Sequence, residues 1–106
     1  MATLADFQQL DLRVATVISA ELHPNADRLV VLRIDLGGEQ RQIVAGIRAS
    51  YEPSALVGKQ IVVVANLEPA TLRGVESQGM LLAARDGDRV VVVTSDCAVS
   101  PGSKVS

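Results

Sequence analysis

At 106 residues the chain has room for one domain and not for two, and it can bury roughly 65% of its unfolded surface without a disulfide or metal to hold it. Its one cysteine, Cys97, excludes an internal disulfide and a multi-cysteine zinc cluster. Ten Lys and Arg against twelve Asp and Glu leave a net charge of -2, which argues against indiscriminate attraction to nucleic acid and requires any nucleic-acid site to be local.

Met1 to Leu12 lacks a charged end followed by an apolar core, and no stretch reaches about 18 apolar residues. The expectation is a soluble, cytoplasmic protein with no membrane partner. Eight of the ten basic residues are arginine, which favours bidentate recognition over diffuse attraction. With 48% apolar residues, a mean hydropathy of +0.29 and only Phe7 and Tyr51 as aromatics, there is much Val, Leu, Ile and Ala to hide. Either the core is unusually aliphatic or some of that surface meets a second copy, and self-association is expected.

In chain order, Leu12 to Ile18 (LRVATVI) reads as a strand that is imperfectly two-sided, with Leu12, Val14, Thr16 and Ile18 on one parity and Arg13, Ala15 and Val17 on the other. Pro24, Asn25 and Asp27 make Ser19 to Asp27 a turn or irregular loop. Leu29 to Leu36 is a second strand, with Val30, Leu32, Ile34 and Leu36 facing together and Arg33 and Asp35 opposite. Gly37-Gly38 predicts a tight hairpin into a third strand at Arg41 to Ala45. Ala49 to Gly58 suits a helix of two or three turns, with Ser50 as its cap, Pro53 in its first turn and Gly58 at its end. Ile61 to Ala65 and Gly79 to Ala84 are the fourth and fifth strands. Arg85 to Asp88 is a turn before a further β run, Val90 to Thr94, and Pro101-Gly102 interrupts the tail.

Three strands, a short helix and two more strands are the order of an OB-type five-stranded barrel, an all-β fold occupying residues 1–106 as a single domain. Another small antiparallel barrel or sandwich is the alternative; the long-helix alternation of a dinucleotide fold is missing. In an OB barrel the loops after strands one and four border the binding face, here Ser19 to Asp27 and Asn66 to Gln78. The second of these offers Asn66, Arg73, Ser77 and Gln78 as donors and acceptors, with bends at Pro69, Gly74 and Gly79.

Catalytic or metal chemistry is poorly provided for, so no catalytic residue, metal or cofactor is expected. His23 has no cysteine pair or second histidine near it in sequence, and reads as an ordinary loop histidine. Ser77 lacks a nucleophile-elbow setting. Asp86 and Asp88 do not make a calcium loop, and Cys97 has no resolving partner. Arg28, Arg33, Arg41, Arg48 and Arg73 are candidates to grip phosphates, with Arg13 and Lys59 adding positive potential and Arg13 and Arg33 expected to face outward. The competing account is scattered charges paired with Glu21, Asp35, Glu39 and Glu52. Two aromatics are too few for a stacking platform of the generic single-strand kind.

The segments DFQQLDLRVATV (Asp6 to Val17), HPNADRLVVLRIDLG (His23 to Gly37), IVAGIRASYEPSALVGKQIVVVANL (Ile43 to Leu67) and LRGVESQGMLLAA (Leu72 to Ala84), in that order over nearly the whole chain, resemble the structure-specific tRNA-binding domain family. This family includes stand-alone dimeric tRNA-binding proteins, the carboxyl-terminal domain of methionyl-tRNA synthetase, domains of eukaryotic synthetase cofactors and a protein described as an export chaperone. The resemblance implies an OB fold with extra terminal β elements, usually dimeric, recognising the shape of tRNA without chemistry. It would place tRNA contacts on Arg28, Leu29, Asn66, Arg73, Ser77 and Met80; Met80 and Leu29 also suit plain core positions at the edge of apolar strands, and for Leu29 the core position is favoured over contact. Arg28 stands where lysine is common in the family, keeping charge but not hydrogen-bond geometry. The partners it implies are tRNA, a second copy and an aminoacyl-tRNA synthetase, with no DNA expected. Chaperone-like binding of unfolded polypeptides and action in cis within a synthetase are the alternatives. The ANL and SQGM segments favour tRNA, and Met1 so close to the DF segment suggests a free-standing protein. Arg73 is expected to contact phosphate, with Gly74 giving room for close approach, unless an ion pair with Glu68 or Glu76 holds it.

Overall fold

Apolar and β-branched residues dominate the segments that pair. In the computed structural model, which describes residues 1–106, the longest strand is β1, Leu12–Leu22, and two halves of the barrel are built on it. Its later half pairs antiparallel with β2, Val30–Asp35, from Thr16↔Asp35 to Leu22↔Val30. Its earlier half pairs antiparallel with β4, Gln60–Val64, from Leu12↔Val64 to Thr16↔Gln60. β3, Gln40–Ala45, continues the sheet beyond β2 after a turn at Gly37-Gly38, as the two glycines predict.

The strand expected to stop at Ile18 runs on to Leu22, because its register shifts between Val17 and Ser19. This bulge leaves Ile18 exposed and resets the inward and outward alternation, so the apolar period breaks where the strand does not. The loop is thereby shortened to the residues from His23 onward.

The interior is one aliphatic cluster. Ala15 and Val17 of β1, Val30, Leu32 and Ile34 of β2, Ile43 and Ala45 of β3, and Ile61 and Val63 of β4 meet Leu36, Ile47, Leu56 and Leu81 there. Leu12, Val62 and Val64 form a second, smaller core on the opposite face of β1 and β4, with Leu82 and Val105 packed against it. Both parities of IVVV are therefore covered, which is how so aliphatic a chain hides much of its Val and Ile. Arg13 does not face outward as expected. It shares the parity of the inward-facing Ala15 and Val17, is half-buried, and donates from Nη1 to the Gly102 carbonyl at 3.2 Å.

The helix before β4 is a single turn, α2, Pro53–Leu56, begun by Pro53 at its first position and contributing Leu56 to the core. Ser50 does not cap it; the Ser50 hydroxyl accepts from the Val90 amide at 2.9 Å, so the expected cap instead braces a later strand. An N-terminal helix, α1, Leu4–Gln8, forms on a Thr3–Asp6 capping box in which each residue's side chain accepts from the other's backbone amide. None of its residues is buried.

Between β4 and the closing strand lies a hairpin of β5, Ala70–Leu72, and β6, Val75–Ser77. The Asn66–Gln78 stretch is thus an ordered arm, not an irregular loop. The fifth strand expected over Gly79 to Ala84 is divided: β7, Met80–Leu81, pairs with β4, while β8, Ala83–Asp86, turns away to pair with β9, Arg89–Val92. The tail ends in β10, Lys104–Val105, on the start of β1. The main sheet has the order β3-β2-β1-β4-β7. It nearly closes on itself where the Gln78 amide donates to the Gln42 carbonyl at 2.8 Å and the Val44 amide donates to the Ser77 hydroxyl at 2.9 Å. The result is a five-stranded antiparallel OB barrel with a short helix between its third and fourth strands and extra terminal strands. Gly79 is required at the seam: a Cβ there would stand 2.9 Å from the Val64 carbonyl oxygen.

Candidate nucleic-acid interface

The arm and the loop after β1 meet at one rim of the barrel. β5 and β6 are joined by the two residues Arg73 and Gly74, both with positive φ, 52° and 89°. A tight two-residue turn that continues the strand twist demands this at both positions. Gly74 is there for its φ and not to let a neighbouring backbone approach, since nothing lies within 4 Å of where its Cβ would be. Arg73 is the one non-glycine residue with positive φ, a conformation that costs an L-residue roughly 1–2 kcal/mol.

Two side chains tie this tip to the first loop. Arg73 Nη2 donates to the Asn25 carbonyl at 3.2 Å, in place of an ion pair with Glu68 or Glu76. His23, only 5% exposed, accepts from the Asn25 amide at Nδ1 (2.9 Å) and meets the Leu72 carbonyl with Nε2 at 2.9 Å. An amide N–H can only donate and a carbonyl can only accept, so both bonds are made together only by the neutral ring with its proton on Nε2.

Around this junction the arginines expected from the sequence gather. Arg28 and Arg48 line one cleft with Leu22, His23 and Asp27; Arg28 and Arg73 line the adjoining one with Asn25 and Leu29. The Arg48 amide donates to the Arg28 carbonyl at 3.4 Å, holding the two segments side by side. Arg48 also pairs with Glu52 at 3.4 Å. Arg28 and Arg33 are exposed and enter none of the chain's ion pairs. Arg33 stands on the outer face of β2, in a cross-strand row with Ser19 and Gln42. Gln42 is fixed there by donating from Nε2 to the Glu76 carbonyl at 2.8 Å and from its amide to Gln78 Oε1 at 3.2 Å. So Gln78 stands beside the row that carries Arg33.

Other candidate residues lie elsewhere or are already engaged. Arg41 falls opposite Ile34, pairs with Glu39 at 3.1 Å and donates to the Ala65 carbonyl. Asn66 accepts from the Asp11 amide at 2.8 Å and donates to the Gln9 carbonyl at 2.7 Å, fastening the α1–β1 junction to the end of β4. Ser77 is buried, and its hydroxyl also donates to the Gly79 carbonyl at 2.8 Å. Met80 is half exposed on β7, opposite Val64 of the outer core. Leu29 is half-buried beside Gly46.

Sequence reasoning missed Asn25 and Gln42 as parts of this surface. The Q-x-Q spacing of Gln40 and Gln42, on the parity opposite Ile43, is the signal that could have placed Gln42 on the outer face. At the far end of β1, Asp11 accepts from Arg13 Nε at 3.0 Å and lies 3.6 Å from Lys104. The Arg13 bond, chiefly, holds the Asp11 carboxyl below its ordinary pKa, against an opposing desolvation effect.

No three His, Cys, Asp or Glu side chains gather to hold a metal, and no helix is long and apolar enough to cross a membrane. Barrel and rim together define a binding domain of the OB class, with an arginine-bearing face between its two principal loops. Comparison with known proteins gives the family. The family described as "Putative tRNA binding domain" matches residues 12–104, and the chain belongs to it. The chain is 59% identical over 104 residues to the methionine–tRNA ligase of Thermotoga maritima, covering 98% of this chain but 16% of that enzyme. It therefore spans about one sixth of the length of that relative. Among solved structures it superposes on a MetRS related protein from Pyrococcus horikoshii with a TM-score of 0.92 at 35% identity, covering 99% of this chain and 97% of that one. It also superposes on chaperone CsaA from Bacillus anthracis with a TM-score of 0.91 at 35% identity, covering 100% and 99%.

Proposed function

We propose that the chain binds tRNA by shape, as a homodimer and without chemistry. The observation that carries this is the gathering of Arg28, Arg48 and Arg73 at the junction of the two rim loops, with Arg33 exposed on the adjoining sheet face. Exposed guanidinium groups held at separate points of a stiff scaffold match phosphates on a folded backbone, and carry shape information without reading a sequence. Gln78 Nε2 and Gln42 Oε1 make no hydrogen bond within the chain, their other side-chain polar atoms being used, and are the atoms left for neutral contacts to ribose. Ser77 and Asn66 support the surface by position, since their polar atoms are used within the chain.

The dimer reading is supported by α1, whose Leu4 and Phe7 are exposed, with Leu10 just beyond it exposed as well. Three exposed apolar side chains at helical spacing, none of them packed against either core, are what a second copy would cover. An aminoacyl-tRNA synthetase, in cis or in trans, is the further partner this reading carries, from the identity to a methionine–tRNA ligase.

A second reading, polypeptide binding, rests on the likeness to chaperone CsaA. Identity of 59% to the ligase against 35% to that chaperone favours tRNA. A competition between folded tRNA, unfolded tRNA and an unfolded peptide tests it. Preference for folded tRNA is expected; preference for the peptide would sink the proposal. Sedimentation at micromolar concentration is expected to show twice the 11.2 kDa chain mass, and a monomer alone would remove the dimer.

A further inference from the structure

We propose that neutral His23 is a positioning residue that holds the two arms of the binding face in register, and that protonating it releases them. The proposal rests on the tRNA reading for its consequence, but the joint itself is a matter of geometry. The first arm is the loop from His23 to Arg28, which brings Arg28; the second is the β5–β6 hairpin, which brings Arg73. They are 49 positions apart where His23 meets Leu72. Between them run only this bond and the Arg73 bond to the Asn25 carbonyl, and Asn25 is itself held by His23 Nδ1. One ring therefore orders both ends of the Arg73 bond: it fixes the loop that accepts and the strand that leads into the donor.

The joint needs one protonation state. Nδ1 must accept and Nε2 must donate. A proton on Nδ1 would set two N–H groups against each other at 2.9 Å, and Asn25 would lose its acceptor. It would also place a full charge in a nearly closed site. The charged groups that share the surrounding clefts are Asp27 and Arg28 from the same loop, Arg48 from the segment after β3 and Arg73 from the hairpin tip. Of these, Arg48 is paired with Glu52, whereas Arg28 and Arg73 have no carboxylate partner. Histidine is also the side chain whose charge changes most readily between about pH 5 and 8.

Two substitutions separate the halves of the joint. His23→Gln keeps an N–H donor near the Nε2 position, within reach of Leu72, and cannot take up a proton. His23→Asn keeps an acceptor near Nδ1 for the Asn25 amide but is too short for Leu72. Wild type and both variants would be titrated with a folded tRNA transcript from about pH 8 to about pH 5.5, with amide hydrogen exchange of residues 23–28 and 70–77 followed over the same range. Wild type is expected to lose about two- to tenfold in affinity between the neutral and the acid end, the scale of one hydrogen bond, while His23→Gln, which lacks the Nδ1 acceptor at every pH, should bind below neutral wild type with a flat profile. Exchange in both arms should quicken in parallel. His23→Asn should bind less tightly than wild type near neutral pH, with the hairpin exchanging faster. Superimposable pH profiles for wild type and His23→Gln, or full affinity and a protected hairpin in His23→Asn, would overturn the joint. Absence of tRNA binding at every pH, with exchange still following His23, would instead overturn the tRNA reading and leave the joint standing.

Discussion

The two ends of β1 handle arginine in opposite ways. Where the strand begins, Arg13 is bound to Asp11 and the Gly102 carbonyl, and nearby Arg41 is bound to Glu39 and the Ala65 carbonyl. These guanidinium groups fasten the chain's termini and strand ends to one another. Where the strand ends, Arg28 has no ion pair, and Arg73 gives one N–H to Asn25 and keeps the remainder exposed. The same residue type is structural at one end and available at the other. The difference lies in whether a carboxylate is within reach: Arg28 and Arg73 have none, and of the arginines at the rim clefts only Arg48 is paired, with Glu52 at 3.4 Å. A chain of net charge -2 can thus keep a local cationic face, because its acids are disposed to neutralise arginines mainly away from it.

The largest expected effect comes from the seam that holds the second arm to the barrel. Ser77→Ala leaves the buried Val44 amide without its acceptor, a destabilisation of about 1–3 kcal/mol, seen as a lower midpoint in denaturant. An unchanged midpoint would show that the seam does not depend on that hydroxyl. Affinity per folded molecule should change less than stability, which marks Ser77 as support.

Arg28→Ala sharpens the comparison from the other end. Removing an exposed, unpaired side chain should move stability by no more than about 0.5 kcal/mol while lowering the slope of log affinity against log salt by roughly 0.7 to 1. Reduced stability with an unchanged slope would assign Arg28 to the structural group.

Arg73 needs two replacements, because its backbone is in the left-handed region. Arg73→Ala removes the guanidinium and keeps the conformational strain; Arg73→Asn removes the guanidinium but suits the turn. Both should weaken tRNA binding, similarly across different folded tRNAs, and Arg73→Asn should be the more stable of the two. Equal wild-type affinity in Arg73→Asn would confine Arg73 to the turn.

The smallest effect belongs to Asp11. Its folded-state pKa is lowered, chiefly by the Arg13 hydrogen bond. Its contribution is therefore fully present above the unfolded carboxylate value and is lost as pH falls below about 4 through the folded value. Asp11→Asn should flatten the acid limb of a plot of melting temperature against pH. An acid limb identical to wild type would deny the pair any role in stability.

Much of the barrel was legible because its strands are short apolar runs punctuated by turn residues: Gly37-Gly38 and the HPNAD loop fall where expected, while of the expected Arg85 to Asp88 turn only Gly87-Asp88 turns and Arg85 and Asp86 belong to β8. The Ile18 bulge was not, since one unpaired residue inverts the period that reveals a strand. Neither was the hairpin inside 66–78, whose strands are short and carry Thr71, Glu76 and Ser77, so the stretch reads as a polar loop. The family resemblance pointed to Arg28 and Arg73, and these converge. Which arginines are engaged was hidden, because their partners are distant: Gly102 lies 89 positions from Arg13, and Ala65 lies 24 from Arg41. The N-terminal helix was signalled only by Thr3 and Asp6 at capping-box spacing, without a buried face to mark it.

The most direct test of the division between the two ends is the salt dependence of tRNA binding in two double variants, Arg28→Ala with Arg73→Asn, and Arg13→Gln with Arg41→Gln. The rim pair should lower the slope of log affinity against log salt by roughly 1.4 to 2, at about 0.7 to 1 for each phosphate no longer neutralised, with little change in melting temperature. The other pair should melt earlier and keep the wild-type slope. Equal slopes in the two variants, or a reduced slope confined to the Arg13 and Arg41 pair, would contradict the division.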